Sequence, residues 1–492
     1  MKIQVQNVPT KLPVKSLVTC LVDKDVFYFK GLPEDLLEVV RNYQKDVRNN
    51  KSREPILIPL PGSLGKGYFF IFSLQTIKNY PPSEVLRIIA SQALKKAEGL
   101  GVNRLCFLVN TRDSLDMAPR LAEGVLLSDY RFDKYKSDNN GENNRCEKTT
   151  FFCAPSEKSD LSKSIREIEI LCQSVNAARD IVNEPGSVLT PEKLASHARS
   201  IADQLSLKCR VLNEKQLEKQ GYNGLITVGK GSVRPPRMII LSYEPKKKSD
   251  KHLCVVGKGV TFDTGGVCLK PSRGMWDMKT DMAGSAAALH IVESCAKLKL
   301  PIRVTAVVPT AENVVGSKAV LPGDIFKAKN GKTIQVDNTD AEGRLIMTDA
   351  FAMAETLKPT HFIDLATLTG ACVYALGDAL TGLFGDDQDF NRQLIEISEK
   401  EGEPCWELPL HEEYKMLLKC DYADINNIGS KREGGAIHAA LFLSEFKPEN
   451  VPWIHLDIAG TSMAEKEWKY YRPGGTGVGV RSIVRLAKKL AG

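Results

Sequence analysis

The sequence predicts an α/β protein of two domains: a smaller N-terminal α/β domain and a larger C-terminal domain with a mixed, largely parallel sheet flanked by helices. Three observations lead there. At 492 residues the chain is longer than one hydrophobic core usually grows. Its composition, 42% hydrophobic and 26% charged, suits a folded globular protein and argues against extensive disorder. From about residue 225 onward, apolar runs of strand length alternate with helix-length stretches, the pattern of a sheet covered by helices on both faces.

In the first part, residues 14–22, 67–74 and 104–110 read as strands. Residues 83–100 read as a helix with Val85, Leu86, Ile89, Ala93 and Ala97 on one face and Gly101 as its stop. Residues 134–148, dense in Asn, Asp, Lys and Gly, predict an exposed loop near a domain boundary. Asp160 is suited to cap a helix running to about Val182, whose apolar residues Ile165, Ile168, Leu171, Cys172, Val175 and Ala178 fall at helical spacing; Pro185 prevents continuation. These readings divide the chain into an N-terminal domain over 1–158, a linking helix over 159–185 and a main domain over 186–492.

The main domain opens with Thr190-Pro191, an N-cap followed by proline at the first helical position. Strands are expected at 225–228, 238–243, 253–256, 304–308, 362–365 and 453–458, and helices at 283–298, 344–357 and 435–446. Ligands of such sheets bind beyond the carboxyl ends of the strands.

The bulk charge narrows the function little. A net +7 from 67 basic and 60 acidic residues is compatible with a nucleic-acid face without requiring one. The N-terminus carries no secretory pattern, and the longest membrane-like run, residues 365–377, is bounded by Asp364 and Asp378 and is too short to span a bilayer. Twelve scattered cysteines without a CxxC pair read as free thiols in a reducing compartment, so a cytoplasmic enzyme is expected.

Two segments concentrate charge. One follows the strand at 253–256 and carries Lys258, Asp263, Lys270 and Asp281 among glycines; the other is Asp337-Asn338-Thr339-Asp340-Ala341-Glu342-Gly343-Arg344. Asp340 and Glu342 are two apart, so in extended backbone both carboxylates point the same way. Buried carboxylates repel one another and protonate unless cations compensate them. A pair of divalent metals does this, and an oxygen-rich donor set without histidine tolerates Mg or Mn as well as Zn. Taken singly, each residue has an ordinary reading: Asp263 as a turn or cap, the lysines as solvated charges, and Asp340 with Glu342 as the first acids of a helix.

Other motifs fail. Residues 224–231 nearly spell a phosphate-binding loop, but Gly231 stands where Ser or Thr is needed and the interior reads as a strand. HExxH is absent, and His290 and His438 lie in helix patterns. Lys246-Lys247-Lys248 reads as a solvated turn.

The residues 338–345, NTDAEGRL, match letter for letter the signature octapeptide of the leucine aminopeptidase (cytosol aminopeptidase) family. The block from Val256 to Gly266 resembles that family's first metal-binding loop; Lys270, Asp281, the block 364–371 and the block 455–461 follow in the expected order. The close resemblance covers roughly residue 160 to the C-terminus. It implies a metal-dependent aminopeptidase that releases N-terminal leucine or other hydrophobic residues from peptides. It further implies that Lys258, Asp263, Asp281 and Glu342 hold one divalent ion and that Asp263, Asp340 and Glu342 hold a second, Zn or Mn with Mg compatible. By the same resemblance Lys270 polarises the scissile carbonyl and Arg344 positions a bicarbonate that shuttles a proton from the water bridging the metals. Met278, Thr367, Gly370 and Ala459 would line the side-chain pocket, and the assembly would be a homohexamer. Two rival classes stand beside this: a dinuclear hydrolase of phosphate esters, against which Lys258 and the octapeptide argue, and a DNA-binding protein, which some bacterial members of the family are.

Overall fold

The apolar runs expected at the start of the chain become the middle of a six-stranded sheet. The computed structural model describes residues 1–9, 13, 15–22, 34–49, 54–60, 66–109, 114–137 and 145–492. Val14, Asn110 and residues 138–144, read from the sequence as a strand start, a strand end and part of an exposed loop, lie outside them.

The chain forms two units, Met1–Cys172 with Glu467–Arg472, and Gln173–Lys466 with Pro473–Gly492. In the first, the order of elements is β1 (Lys2–Asn7), β2 (Ser16–Val22), α1 (Glu34–Arg48), β3 (Ile56–Pro59), β4 (Gly67–Ser73), α2 (Pro82–Gly99), β5 (Arg104–Leu108), α3 (Ser114–Ser128) and β6 (Lys148–Cys153), leading into α4 (Lys158–Asn183). The sheet order is β1-β6-β5-β2-β4-β3, parallel except for the β3–β4 edge. Every residue of β2 is buried, as a central parallel strand covered on both faces requires. Leu36, Val40, Tyr43 and Val47 of α1 pack on Val18, Cys20, Phe69 and Ile71. Strands β1, β3 and β6 and helices α1 and α3 were not read from the sequence; the strands are short, whereas α1 does carry a helical period, Leu36, Val40, Tyr43 and Val47, that could have found it.

The second unit continues with α5 (Pro191–Leu205), β7 (Lys208–Leu212), α6 (Glu214–Gln220), α7 (Asn223–Gly229), β8 (Arg237–Tyr243), β9 (His252–Gly257), β10 (Gly259–Asp263), α8 (Ala283–Lys297) and β11 (Arg303–Asn313). Then come β12 (Asp324–Lys327), β13 (Thr333–Val336), α9 (Glu342–Thr356), β14 (His361–Ala366), α10 (Gly370–Leu376), β15 (Thr381–Gly385), α11 (Gln388–Glu401) and β16 (Cys405–Glu407). The unit closes with β17 (Ile425–Asn426), α12 (Gly435–Ser444), β18 (Trp453–Asp457) and α13 (Val480–Leu490). The main sheet runs β16-β15-β18-β14-β9-β11-β8-β7, with β10 also paired to β11. Its centre, β18-β14-β9-β11, is parallel, and antiparallel pairs flank it. The two-domain α/β class and the mixed, largely parallel sheet expected from the sequence are therefore present.

Three expectations need correction. Residues 225–228 are not a strand but the middle of α7. Leu225 and Val228 are buried in the core with Leu345 and Ile346 of α9, and the Leu225 amide donates to Asp349 Oδ2 at 2.7 Å. Asp160 does not cap α4, which begins two residues earlier; it lies in the first turn, where a carboxylate still favours the helix dipole. Glu342 is the first residue of α9, so the extended-backbone argument for pairing it with Asp340 does not apply. By contrast Thr190 caps α5 as expected, its hydroxyl accepting from the Lys193 amide, and Lys246, Lys247 and Lys248 are exposed. No helix among the described residues is long and apolar enough to cross a membrane.

Candidate metal centre

The carboxyl ends of the central parallel strands converge on one cluster. Lys258 follows β9, Asp263 ends β10, Asn313 ends β11 and Thr367 follows β14. Asp281 stands at the end of a 3₁₀ turn over Met275–Thr280, and Glu342 opens α9. Gly343 allows the contact that draws them together: a Cβ there would press on Lys258 Cε and Nζ and push the end of that side chain from its place. Gly265 turns the loop after β10 at φ +86°, and a Cβ there would meet Asp340 Oδ1 at 2.7 Å.

Lys258 Nζ lies 2.7 Å from Asp281 Oδ1 and 2.9 Å from Glu342 Oε1, and it donates to the Thr367 carbonyl at 2.9 Å. Lys270 Nζ lies 2.7 Å from Asp263 Oδ2 and also pairs with Asp340. Asp263 Oδ1 accepts from the Gly265 amide at 2.9 Å and from Asn313 Nδ2 at 2.7 Å. Asn313 Nδ2 also donates to the Thr339 carbonyl, and the Thr339 hydroxyl donates to Gly265 O at 2.6 Å, locking the two charged segments together. Lys258, Asp263, Asp281, Glu342 and Arg344 are all buried; Lys270 and Asp340 are partly exposed.

The electrostatics suit added cations. Four carboxylates against two ammonium groups leave two negative charges uncompensated in a buried cluster. Burial pushes Asp281 well above the usual carboxylate range; burial and the neighbouring Glu342 push Asp263 up to about 6. Burial also works against charge on Glu342, but Lys258 and Lys270 outweigh it and hold its carboxyl below the usual range. For Lys258 burial opposes the ammonium form, and Asp281, Glu342 and Asp263 together more than restore it. Asp281 Oδ2 and Glu342 Oε2 are buried without a hydrogen-bond partner, an arrangement that costs free energy unless a cation accepts them. Asp263, Asp340 and Glu342 can bring one carboxylate oxygen each within 4.8 Å of one another, the only such group of three ligating side chains among the described residues. The residues present fit divalent metal ions, and the all-oxygen carboxylate set fits hard or borderline ones.

Arg344 lies beside the cluster. One of its nitrogens, Nη1, donates to the Asn427 carbonyl at 2.7 Å, while Nε is buried with no partner. Burial lowers its pKa to about 10, against the support of Glu342 and Asp457. Met278, Thr367 and Ala459 are half-buried and Gly370 is exposed. Thr367 touches the cluster directly: its hydroxyl donates to Asp281 Oδ1 at 2.8 Å. His290 and His438 lie in α8 and α12. Asn313 and Asp457 were not singled out from the sequence; each ends an apolar strand, where an Asn or Asp is ordinarily a turn residue and carries no distinguishing signal.

Comparison with known proteins agrees with this geometry. The model of the cytosol aminopeptidase family catalytic domain matches residues 176–484, and that of the family's N-terminal domain matches residues 81–139. A probable cytosol aminopeptidase from Geobacter sp. is 43% identical over 411 residues, covering 82% of each chain. One from Aquifex aeolicus is 38% identical over 450 residues, covering 91% of this chain and 90% of its own. Among solved structures, the bottromycin maturation enzyme BotP in complex with Mn is similar with a TM-score of 0.82 and 29% identity, over 97% of this chain and 99% of that one. With its catalytic-domain match spanning more than half its length and relatives of this identity, the chain belongs to the cytosol aminopeptidase family and is, as a member, a metal-dependent aminopeptidase.

Proposed function

We propose that this enzyme removes N-terminal leucine and other apolar residues from peptides at a dinuclear metal site. The observation that carries the reading is the convergence of the buried Lys258, Asp263, Asp281 and Glu342 with the half-buried Asp340 at the carboxyl ends of the parallel strands. Asp263 and Glu342 would be shared by the two ions, Asp281 and Lys258 would complete one and Asp340 the other. The ions, Zn or Mn with Mg compatible, would supply Lewis acidity and a hydroxide nucleophile at neutral pH. Lys258 must give up its proton to serve as a ligand, which a dication in contact favours strongly.

Lys270 supports the reaction from its partly exposed position. Its ammonium is already held by Asp263 and Asp340, so it is fixed and charged where a carbonyl oxygen gains negative charge. Arg344 keeps part of its guanidinium free of protein partners, which supports its role as the seat of a bicarbonate ion that takes and returns the proton. Met278, Thr367, Gly370 and Ala459 would receive the N-terminal side chain; their small or unbranched shapes suit leucine or methionine.

The test is hydrolysis of leucine amide by purified protein, by chelated protein, and by chelated protein resupplied with Zn, Mn or Mg. Activity should vanish on chelation and return with at least one metal. Equal rates before and after chelation would remove the metal from the mechanism. Faster cleavage of aspartate or lysine amide than of leucine amide would remove the apolar preference. We infer a cytoplasmic setting, which twelve cysteines without a disulfide support.

A further inference from the structure

Three of the four residues of the pocket proposed above, Thr367, Gly370 and Ala459, follow two separate strand ends, and one buried carboxylate spans them. β14 and β18 run side by side in parallel, with Ala366 level with Asp457. Beyond that point β14 turns into residues 367–370 and β18 into 458–460, the segments that carry Thr367, Gly370 and Ala459. Asp457, only 1% exposed, accepts from both. Its Oδ1 takes the Leu368 amide at 3.1 Å and the Ala459 amide at 3.2 Å, and its Oδ2 takes the Thr369 hydroxyl at 2.6 Å. The Thr369 oxygen in turn accepts from the Cys372 amide at 3.1 Å and caps α10, which begins at Gly370.

The other end of the 367–370 turn is tied to the metal cluster. Lys258 Nζ donates to the Thr367 carbonyl and the Thr367 hydroxyl donates to Asp281. The turn is therefore stretched between the cluster and Asp457, and the distance from its residues to Ala459 is set by the acceptor they share.

We propose that Asp457 is a positioning residue that sets which N-terminal side chain the pocket accepts, by fixing the spacing of its two walls. This rests on the pocket assignment made above. Discrimination by an apolar pocket is a matter of fit, at about 10-fold or more per methylene, so walls free to move apart lose it before they lose catalysis. Asp457 also supports the charge on Arg344. Removing its carboxylate therefore slows all substrates together, and the ratio between substrates isolates the positioning role.

The experiment compares kcat/KM for leucine amide and alanine amide in Asp457→Ala, Thr369→Ala and Thr369→Ser, with bound metal measured in each protein. Asp457→Ala removes the acceptor shared by the Leu368 and Ala459 amides; Thr369→Ala removes only the bond to Oδ2 and carries the test alone if Asp457→Ala does not fold. The expected result is a fall of about 10-fold in the leucine-to-alanine ratio for Asp457→Ala and a smaller fall for Thr369→Ala, mostly through a raised KM for leucine amide, with metal content unchanged. Thr369→Ser keeps the hydroxyl and should keep the ratio. An unchanged ratio in both altered proteins overturns the inference. Ala459→Val and Met278→Ala separate it from the pocket reading. If they shift the ratio while Asp457→Ala and Thr369→Ala do not, only the positioning role fails; if none of the four shifts it, the pocket itself is elsewhere.

Discussion

Gly343 gives the sharpest residue-scale test. The Lys258 ammonium is held by Asp281, Glu342 and the Thr367 carbonyl, so a methyl group at 343 is accommodated only by pushing the lysine off those partners. Gly343→Ala should leave the far-UV spectrum intact and lower kcat/KM for leucine amide by about 100-fold, the cost of a misplaced reacting group. Glu342→Gln should lose bound metal and activity with the fold retained, and metal analysis beside circular dichroism checks both. Retained activity would move the site elsewhere. The cluster was legible in the sequence because its carboxylates sit in two glycine-rich segments that no apolar core would tolerate. Asp457 and Asn313 were not, since each is a single polar residue at the end of an apolar strand and gains meaning only from partners 89 and 50 residues away.

At the scale of elements, α7 and α9 are coupled through Asp349. Burial pushes this carboxyl up to about 8, against the amides of Leu225 and Gly224 that favour its charged form. A folded-state pKa above the ordinary value means that its contribution to stability is complete below about pH 4 and is lost as pH rises toward 8. Asp349→Asn removes that titration. Across this window the wild-type protein should lose stability relative to the variant by up to ~1.4 kcal/mol per pH unit. Urea midpoints at pH 5 and pH 8 check it, and equal changes in the two proteins would refute it. The same contact explains why residues 225–228 looked like a strand. Three apolar residues and a threonine bounded by glycines show no helical period, and the group that stabilises the helix start lies 124 residues downstream. Where all the information is local, as in Thr190-Pro191, the reading from sequence holds.

For the whole molecule, the chain length was enough to predict more than one domain, and the alternation of strands and helices to predict the α/β class, because buried parallel strands read as continuous apolar runs. The strand order was not, since register and neighbours are set by packing across long separations. We propose that six chains assemble. Sedimentation velocity should give a species near six times 54.3 kDa, and a single species at 54.3 kDa would exclude the assembly. The first unit also has an unusual dependence within one chain. Its α2 binds the segment Glu467–Arg472: Tyr470 donates to Glu84, Lys469 pairs with Glu84 at 2.8 Å, and Ser91 donates to the Lys469 carbonyl. During synthesis, then, residues 1–172 wait for a segment made about 300 residues later, Glu467–Arg472, before the contacts of their own unit are complete. Residues 1–172 should stay protease-sensitive in nascent chains until residue 472 has emerged, and a stop codon placed before residue 467 should destabilise that unit although it removes none of residues 1–172.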